Sequence, residues 1–166
     1  TGTSGTPISV GQQPITLAIT PDGTTAYVAN ISSPHVTPID VTTGTAGAPI
    51  ALGRSSAAIA VTPDGATAYA VNDVHDTVTL IDTATGTAGT PIPVGDFPFS
   101  IAITPDGATA YVSNLSSNNV TPIATATNTA GPPIPVGSVP RVVAITPDGT
   151  TAYVANAVSN NVTPIA

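Results

Sequence analysis

Side chains able to do chemistry are scarce in this chain, so each can be weighed singly. Its 166 residues include nine Asp but no Glu, two Arg but no Lys, two His, and no Cys, Met or Trp. The densest polar group is Asp73, His75 and Asp76, with Arg54 and Asp96 at equivalent points of a repeat described below. Three carboxylates and an imidazole are chemistry that could hold a divalent cation through oxygen-rich ligation. The same residues on a loop also make an ordinary solvated surface. Arg54 beside Asp73 or Asp96 would be an exposed ion pair worth about 0–1 kcal/mol. Phe97 and Phe99 are the large aromatics of this rim, as a contact patch or as filling between packed elements. With Gln12 and Arg141, the candidate ligand-binding set is Gln12, Arg54, Asp73, His75, Asp76, Asp96, Phe97 and Arg141; no catalytic residue and no metal ligand is assigned. His35 stands alone and is read as a loop residue.

The same scarcity excludes several classes. Two cations against a net charge of −7 cannot neutralise a run of phosphates, so neither nucleic acid nor an anionic membrane is an expected partner. No stretch approaches the length of an apolar membrane span. Without Cys there are no disulfides and no thiolate ligands or nucleophiles, and redox cofactors would find few ligands, so no cofactor is expected. Without Trp, stacking of sugars on aromatic faces is not advertised. A Thr-rich, Lys-free, acidic composition suits an extracellular or cell-surface location.

The elements that must position these residues follow from an internal repeat. Pro-Asp-Gly recurs at 21–23, 63–65, 105–107 and 147–149, a step of 42 residues each time. Tyr27, Tyr69, Tyr111 and Tyr153 keep that step, as do Asn30, Asn72, Asn114 and Asn156. One unit reads as four strands: 15–20, 25–29, about 36–40 and 49–52. Pro fixes φ and Gly supplies the left-handed position at the Pro-Asp-Gly turn, and Asn30 closes the second strand with an amide able to bond the turning backbone. Pro7, Pro49, Pro91 and Pro133 fall in the fourth strand, an exposed edge that proline blunts. Pro38, Pro122 and Pro164 fall in the third, and the expectation is that they face an irregular ladder on the fourth-strand side. Four-stranded units of about 40–45 residues signal propeller blades. The fold expected is therefore all-β: a β-propeller of four four-stranded antiparallel blades in one domain, residues 1–166. Its blades are approximately 11–52, 53–94, 95–136, and 137–166 plus 1–10, the N-terminal strand completing the last blade.

Tyr27-Val28-Ala29-Asn30 and its three counterparts, with Ile92 to Pro98 and Ile81 to Gly86, resemble the YVTN-repeat β-propellers over the whole chain. The resemblance implies surface-layer and other cell-surface proteins, with blades similar to those of lactonase-like propellers. Such propellers more often have about seven blades. Four blades leave three closures open: a four-bladed ring of one chain, an eight-bladed ring of a homodimer, or a slice of a longer array.

Strand and turn positions repeat almost verbatim. The lead-ins Gln12-Gln13, Arg54-Ser55, Asp96-Phe97 and Ser138-Val139 do not, nor do the loops 31–35, 73–77, 115–119 and 157–161. In an up-and-down blade both emerge on one face, which reads as a binding face on an invariant scaffold or as drift in unconstrained loops. Asp22, Asp64, Asp106 and Asp148 are turn residues, and Asp40 and Asp82 end third strands. The favoured function is a non-catalytic extracellular or cell-surface scaffold or binding module engaging a protein or surface polymer. A lactonase-like hydrolase is the alternative, and a structural block of a surface layer or repeat array a third.

Overall fold

The computed structural model describes residues 2–166. In the first repeat the strands are β1 Pro14–Ile19, β2 Thr25–Asn30, β3 His35–Asp40, β4 Thr45–Ala46 and β5 Ile50–Ala51. The second holds β6 Ala58–Val61, β7 Thr67–Asn72, β8 Thr77–Asp82, β9 Thr87–Ala88 and β10 Ile92–Pro93. The third holds β11 Pro98–Ile103, β12 Thr109–Asn114, β13 Asn119–Ala124, β14 Thr129–Ala130 and β15 Ile134–Pro135; the fourth, β16 Pro140–Ile145, β17 Ala152–Asn156 and β18 Asn161–Ile165. All pairings are antiparallel and each repeat forms its own sheet. The all-β propeller architecture expected from the repeat is what the chain adopts.

Each inner hairpin is set locally. Thr20 Oγ1 donates to Asp22 Oδ1 at 2.6 Å, the same carboxylate accepts the Thr24 amide at 3.0 Å, and Thr20 Oγ1 also accepts the Thr25 amide at 3.1 Å. Thr104 with Asp106 and Thr146 with Asp148 repeat the arrangement, also at 2.6 Å. Gly23, at φ 73°, occupies the left-handed position that a side chain would resist. These hydroxyl and amide bonds hold the carboxyls of Asp22, Asp64, Asp106 and Asp148 below the usual range, the Thr hydroxyl being the largest cause. Asp40 and Asp82 are lowered by the amides of Thr43 and Thr85. A carboxyl depressed on folding adds stability above its unfolded pKa of about 3.9, and that stability goes as pH falls through the folded value. Thermal unfolding followed by circular dichroism should therefore show a melting temperature level above about pH 5 that drops as pH falls below about 4. Replacing the four turn Asp by Asn, which keeps an acceptor without the titration, should flatten that drop.

The outer strand differs from the expectation of one continuous segment. It is split: β3 pairs with β4 through Ile39 and Asp40 and with β5 through His35 and Val36, skipping Thr37 and Pro38. Between the two pieces the Gly47 amide donates to Pro38 O at 2.8 Å. The irregular ladder expected opposite Pro38 and Pro122 is present. Leu80, in the same place in the second repeat, shows the same break, with Gly89 donating to its carbonyl at 2.9 Å. The break belongs to the glycine turn, and proline is tolerated there because no ladder needs its N–H.

Packing joins each sheet to its sequence neighbours. β1 lies against β6, β6 against β11, and β11 against β16. Tyr27, Ala29, Val36, Ile50 and Leu52 meet Ile59, Ala68, Ala70 and Ile81 in one such core. Tyr69, Val71, Val78 and Ile92 meet Ala110, Val112 and Ile123 in the next. The result is an arc of four blades. One expectation is corrected: the N-terminal strand does not complete the last blade. That sheet has three strands, β16-β17-β18, and residues 2–10 form no strand. The reason is the arc, which leaves its two ends apart. Ile8 instead lies beside the first blade, where a Cβ built on Gly44 would sit 4.0 Å from its Cδ1.

Candidate functional site

The variable loops are brought together on one face, as the alternation of strand directions requires. Within the first blade the Ile31 amide donates to Gln13 O at 3.1 Å and the Gln12 amide to Ser33 Oγ at 2.8 Å. The third and fourth blades repeat both bonds: Leu115 to Phe97 O and Ala157 to Val139 O, each at 2.9 Å, with Asp96 held by Ser117 Oγ and Ser138 by Ser159 Oγ. Below them the Asn that ends each second strand is buried. Asn30 Nδ2 donates to His35 O at 3.1 Å and Thr37 Oγ1 at 3.2 Å; Asn114 Nδ2 donates to Asn119 Oδ1 at 2.7 Å and Thr121 Oγ1 at 2.9 Å. The Oδ1 of all four is buried without a partner.

A second set of bonds runs between blades. The Phe97 amide donates to Asp76 Oδ1 at 2.8 Å, and the Val139 amide to Asn118 Oδ1 at 2.9 Å. Phe97 and Val139 take φ of 54° and 56°, with Gln13 at 50°. A left-handed conformation is uncommon for such side chains, and it aims the Phe97 and Val139 N–H groups at the preceding blade.

The second blade breaks this pattern at three places. His75 stands where the others have Ser33, Ser117 and Ser159. Pro34 precedes its lead-in where Asp76 and Asn118 supply acceptors, and Ser55 is not left-handed as Gln13, Phe97 and Val139 are. Asp73 stands where the others have Ile31, Leu115 and Ala157. It is 6% exposed, and its Oδ1 has no hydrogen-bond partner. A buried carboxylate oxygen left unpartnered is costly and needs an explanation.

The candidate residues therefore separate. Arg54, Asp73, His75 and Asp76 belong to the second blade's part of the face, and Asp96 and Phe97 to the third's. His75 and Asp96 are exposed, Arg54 is half-buried, and Phe97 is 43% exposed. Asp76 has one oxygen committed to the inter-blade bond. Gln12 is exposed on the first blade. Arg141 is on β16, its guanidinium carbon 5.6 Å from the Phe99 ring centre, a cation–π contact that joins two blades. Among the described residues no ion pair ties Arg54 to Asp73 or Asp96, and no three His or Asp side chains converge as metal ligands. Between the third and fourth blades an open cleft of about 520 Å³ is lined by Phe97, Leu115, Ser116, Asn118, Ser138 and Val139. Sequence reading missed the Asn118 and Ser117 linkers and this cleft. Ser33, Ser117 and Ser159 do keep the repeat step, and His75 as the exception was the available signal.

The family described as lactonase, seven-bladed β-propeller, matches residues 41–133. That segment holds the second blade, the third blade up to β14, and six of the eight candidate residues. Among solved structures the chain is similar to hydrazine synthase of Kuenenia stuttgartiensis, with a TM-score of 0.84 and 34% sequence identity over 87% of this chain and 42% of that one. It is also similar in fold to a functionally unknown protein of Desulfotomaculum acetoxidans, with a TM-score of 0.77 and 23% identity over 90% of this chain and 54% of the other. The chain thus spans about half, or less, of the length of these relatives. No curated protein matches it.

Proposed function

Because the chain belongs to the lactonase family of seven-bladed β-propellers, we propose that its second and third blades recognise a small, oxygen-rich ligand of the lactone class. The observation that carries this is Asp73: a buried carboxylate oxygen without a partner, at a repeat position that is apolar in the other three blades. A ligand hydroxyl supplies the donor that oxygen lacks, and the cleft that Phe97 and Leu115 of the third blade form with Val139 of the fourth takes an apolar ring or chain.

Ring opening of a bound cyclic ester needs a base to take a proton from water and a donor for the oxyanion. In the second blade, His75 and Arg54 are the side chains with those chemistries. The test is hydrolysis of a lactone panel by the wild-type chain and by His75→Ala, Arg54→Ala and Asp73→Ala. A base or oxyanion donor should cost about 10²-fold or more in kcat/KM, whereas Asp73→Ala should raise KM. Unchanged turnover in all three variants would sink this reading.

A second reading, a non-catalytic scaffold or binding module of the cell surface that engages a protein or polymer, is favoured by the placement of every variable loop on one face above an invariant framework. It predicts no turnover at all, with binding weakened by the Phe97→Ala and Gln12→Ala variants.

A further inference from the structure

Three buried oxygens of the second blade lack a hydrogen-bond partner: Asn72 Oδ1, Asp73 Oδ1 and Thr77 Oγ1. They sit on two consecutive residues and on the residue opposite the first, since Asn72 pairs with Thr77 across β7 and β8. Asn72 Nδ2 donates to Thr77 O at 3.3 Å, so the amide lies beside that residue. In the third and fourth blades the side chain at the position of Thr77 reaches the same amide. Asn119 Oδ1 accepts from Asn114 at 2.7 Å, and Asn161 Oδ1 from Asn156 at 2.9 Å. An orphaned Asn oxygen belongs to the frame of all four blades, but the carboxylate and the hydroxyl have no counterpart in the others.

The lead-in that closes this region elsewhere is unfastened here. In the first blade three bonds tie it to the loop: Ile31 N–H to Gln13 O, Ser32 N–H to Gln12 O, and Gln12 N–H to Ser33 Oγ. The third and fourth blades make the same three. Among the described residues the second makes none of them. His75 offers no hydroxyl, and the Asp73 and Val74 amides are not bonded to Ser55 or Arg54. Gly11, Gly95 and Gly137 pack so closely on the buried Asn that a Cβ would lie 2.6, 2.8 and 2.7 Å from its Cγ. Gly53, their equivalent, is left-handed at φ 69°, and a Cβ on it would meet nothing within 4 Å. The lead-in of the second blade has turned away from Asn72.

A water molecule does not satisfy this arrangement. It brings two protons to three acceptors and leaves a buried negative charge uncompensated, which is the costly part. Among the described residues Arg54 is half-buried and makes no ion pair with Asp73. A metal ion compensates the charge and takes all three oxygens as ligands. A carboxylate, an amide carbonyl and a hydroxyl are hard ligands, which suit Ca²⁺ or Mg²⁺. Mg²⁺ dehydrates reluctantly and keeps several waters, which atoms buried this deeply would not admit. Ca²⁺ accepts irregular coordination by protein oxygens. We propose that the second blade binds one Ca²⁺ on Asp73 Oδ1, Asn72 Oδ1 and Thr77 Oγ1, with water from the loop surface completing its shell. One carboxylate among the ligands makes the site weak, with a dissociation constant on the order of 10⁻⁴–10⁻³ M.

This ligand set differs from the acidic group that stands out in the sequence. Asp76 commits Oδ1 to the Phe97 amide, and His75 and Asp96 are exposed. Asp73 is joined instead by two neutral neighbours. The ion shares Asp73 with the lactone reading above and stands without it, because a carboxylate oxygen has two lone pairs, one for an ion and one for a ligand hydroxyl. The two fail separately. Lactone turnover without a response to Ca²⁺ sinks the ion alone, and a response to Ca²⁺ without turnover sinks the hydrolase alone.

The test is thermal unfolding of the whole chain in EDTA and in CaCl₂. At about 10 mM Ca²⁺ the melting temperature should rise by about 3–6 °C, with a much smaller rise in MgCl₂. Asp73→Asn removes the buried charge and keeps the shape, so it should melt no lower than the wild type in EDTA and should lose the Ca²⁺ rise. Asp96→Asn, which changes an exposed carboxylate of the same face, should keep it. No rise in the wild type overturns the proposal. So does an equal rise in MgCl₂, which is what general screening of a net charge of −7 would give. An equal rise in Asp73→Asn overturns it too, because the ion would then sit on the exposed turn carboxylates. Asp73→Asn melting far below the wild type in EDTA would mean that the carboxylate already has a partner in the fold, and that also overturns the site.

Discussion

Tyr69→Ala is expected to lower the unfolding free energy by about 3–5 kcal/mol, the loss typical of a large aromatic removed from a packed core. Tyr69 is 1% exposed and stands with Val71 and Val78 against Ala110 and Val112 of the following blade. Those neighbours are short strand residues whose backbone is tied into two sheets, so the site cannot collapse to fill the void. The hydroxyl is a separate element. It donates to Asn128 Oδ1 at 2.6 Å, and burial pushes its pKa up, so it remains a donor. Tyr69→Phe keeps the ring and loses only that bond, which should cost about 1 kcal/mol. Urea unfolding of the two variants separates them. If Tyr69→Ala costs no more than Tyr69→Phe, the ring is not held between blades.

Gly95→Ala is the second large effect, and it acts on the variable face. A Cβ there would lie 2.5 Å from Ser117 Oγ and 2.8 Å from Asn114 Cγ. Asn114 is fully buried, and Ser117 holds the Asp96 amide. One of them must move, and either movement breaks bonds that set the loops around Phe97. Overpacking of this kind typically costs about 1–3 kcal/mol. Gly5→Ala, with no neighbour within 4 Å, is the control and should be neutral. Hydrogen exchange should show the Gly95→Ala loss concentrated in the amides of Asp96, Phe97 and Leu115. A uniform loss over the chain would mean that Gly95 matters to the blade core instead of the loop frame.

Both effects depend on contacts between residues far apart in sequence, and that marks what could be read directly. The four Pro-Asp-Gly turns, the Tyr and Asn series and the two-residue alternation of Thr25 to Ala29 determined the blades. Each of these is local: a proline φ, a glycine in the left-handed region, a Thr hydroxyl two residues from its carboxylate, and side chains alternating across a strand. Placement of the variable loops on one face followed from strand alternation.

Tertiary structure decided what those residues are. Asp76 and Asp96 look alike in sequence, yet Asp76 holds the Phe97 amide across a blade boundary while Asp96 is exposed. Asp73, in the same acidic loop, is the buried one. The split of the outer strand came from a glycine amide reaching back to the third strand, a bond that no pattern of residue types announces. Closure was the other decision. The phase of residues 6–10 against β18 was legible, but an arc carries its first and last sheets apart, and the N-terminal segment forms no strand and lies beside the first blade at Ile8. Strand pattern repeats with the sequence, whereas blade-to-blade packing fixes the angle at which the ends are carried.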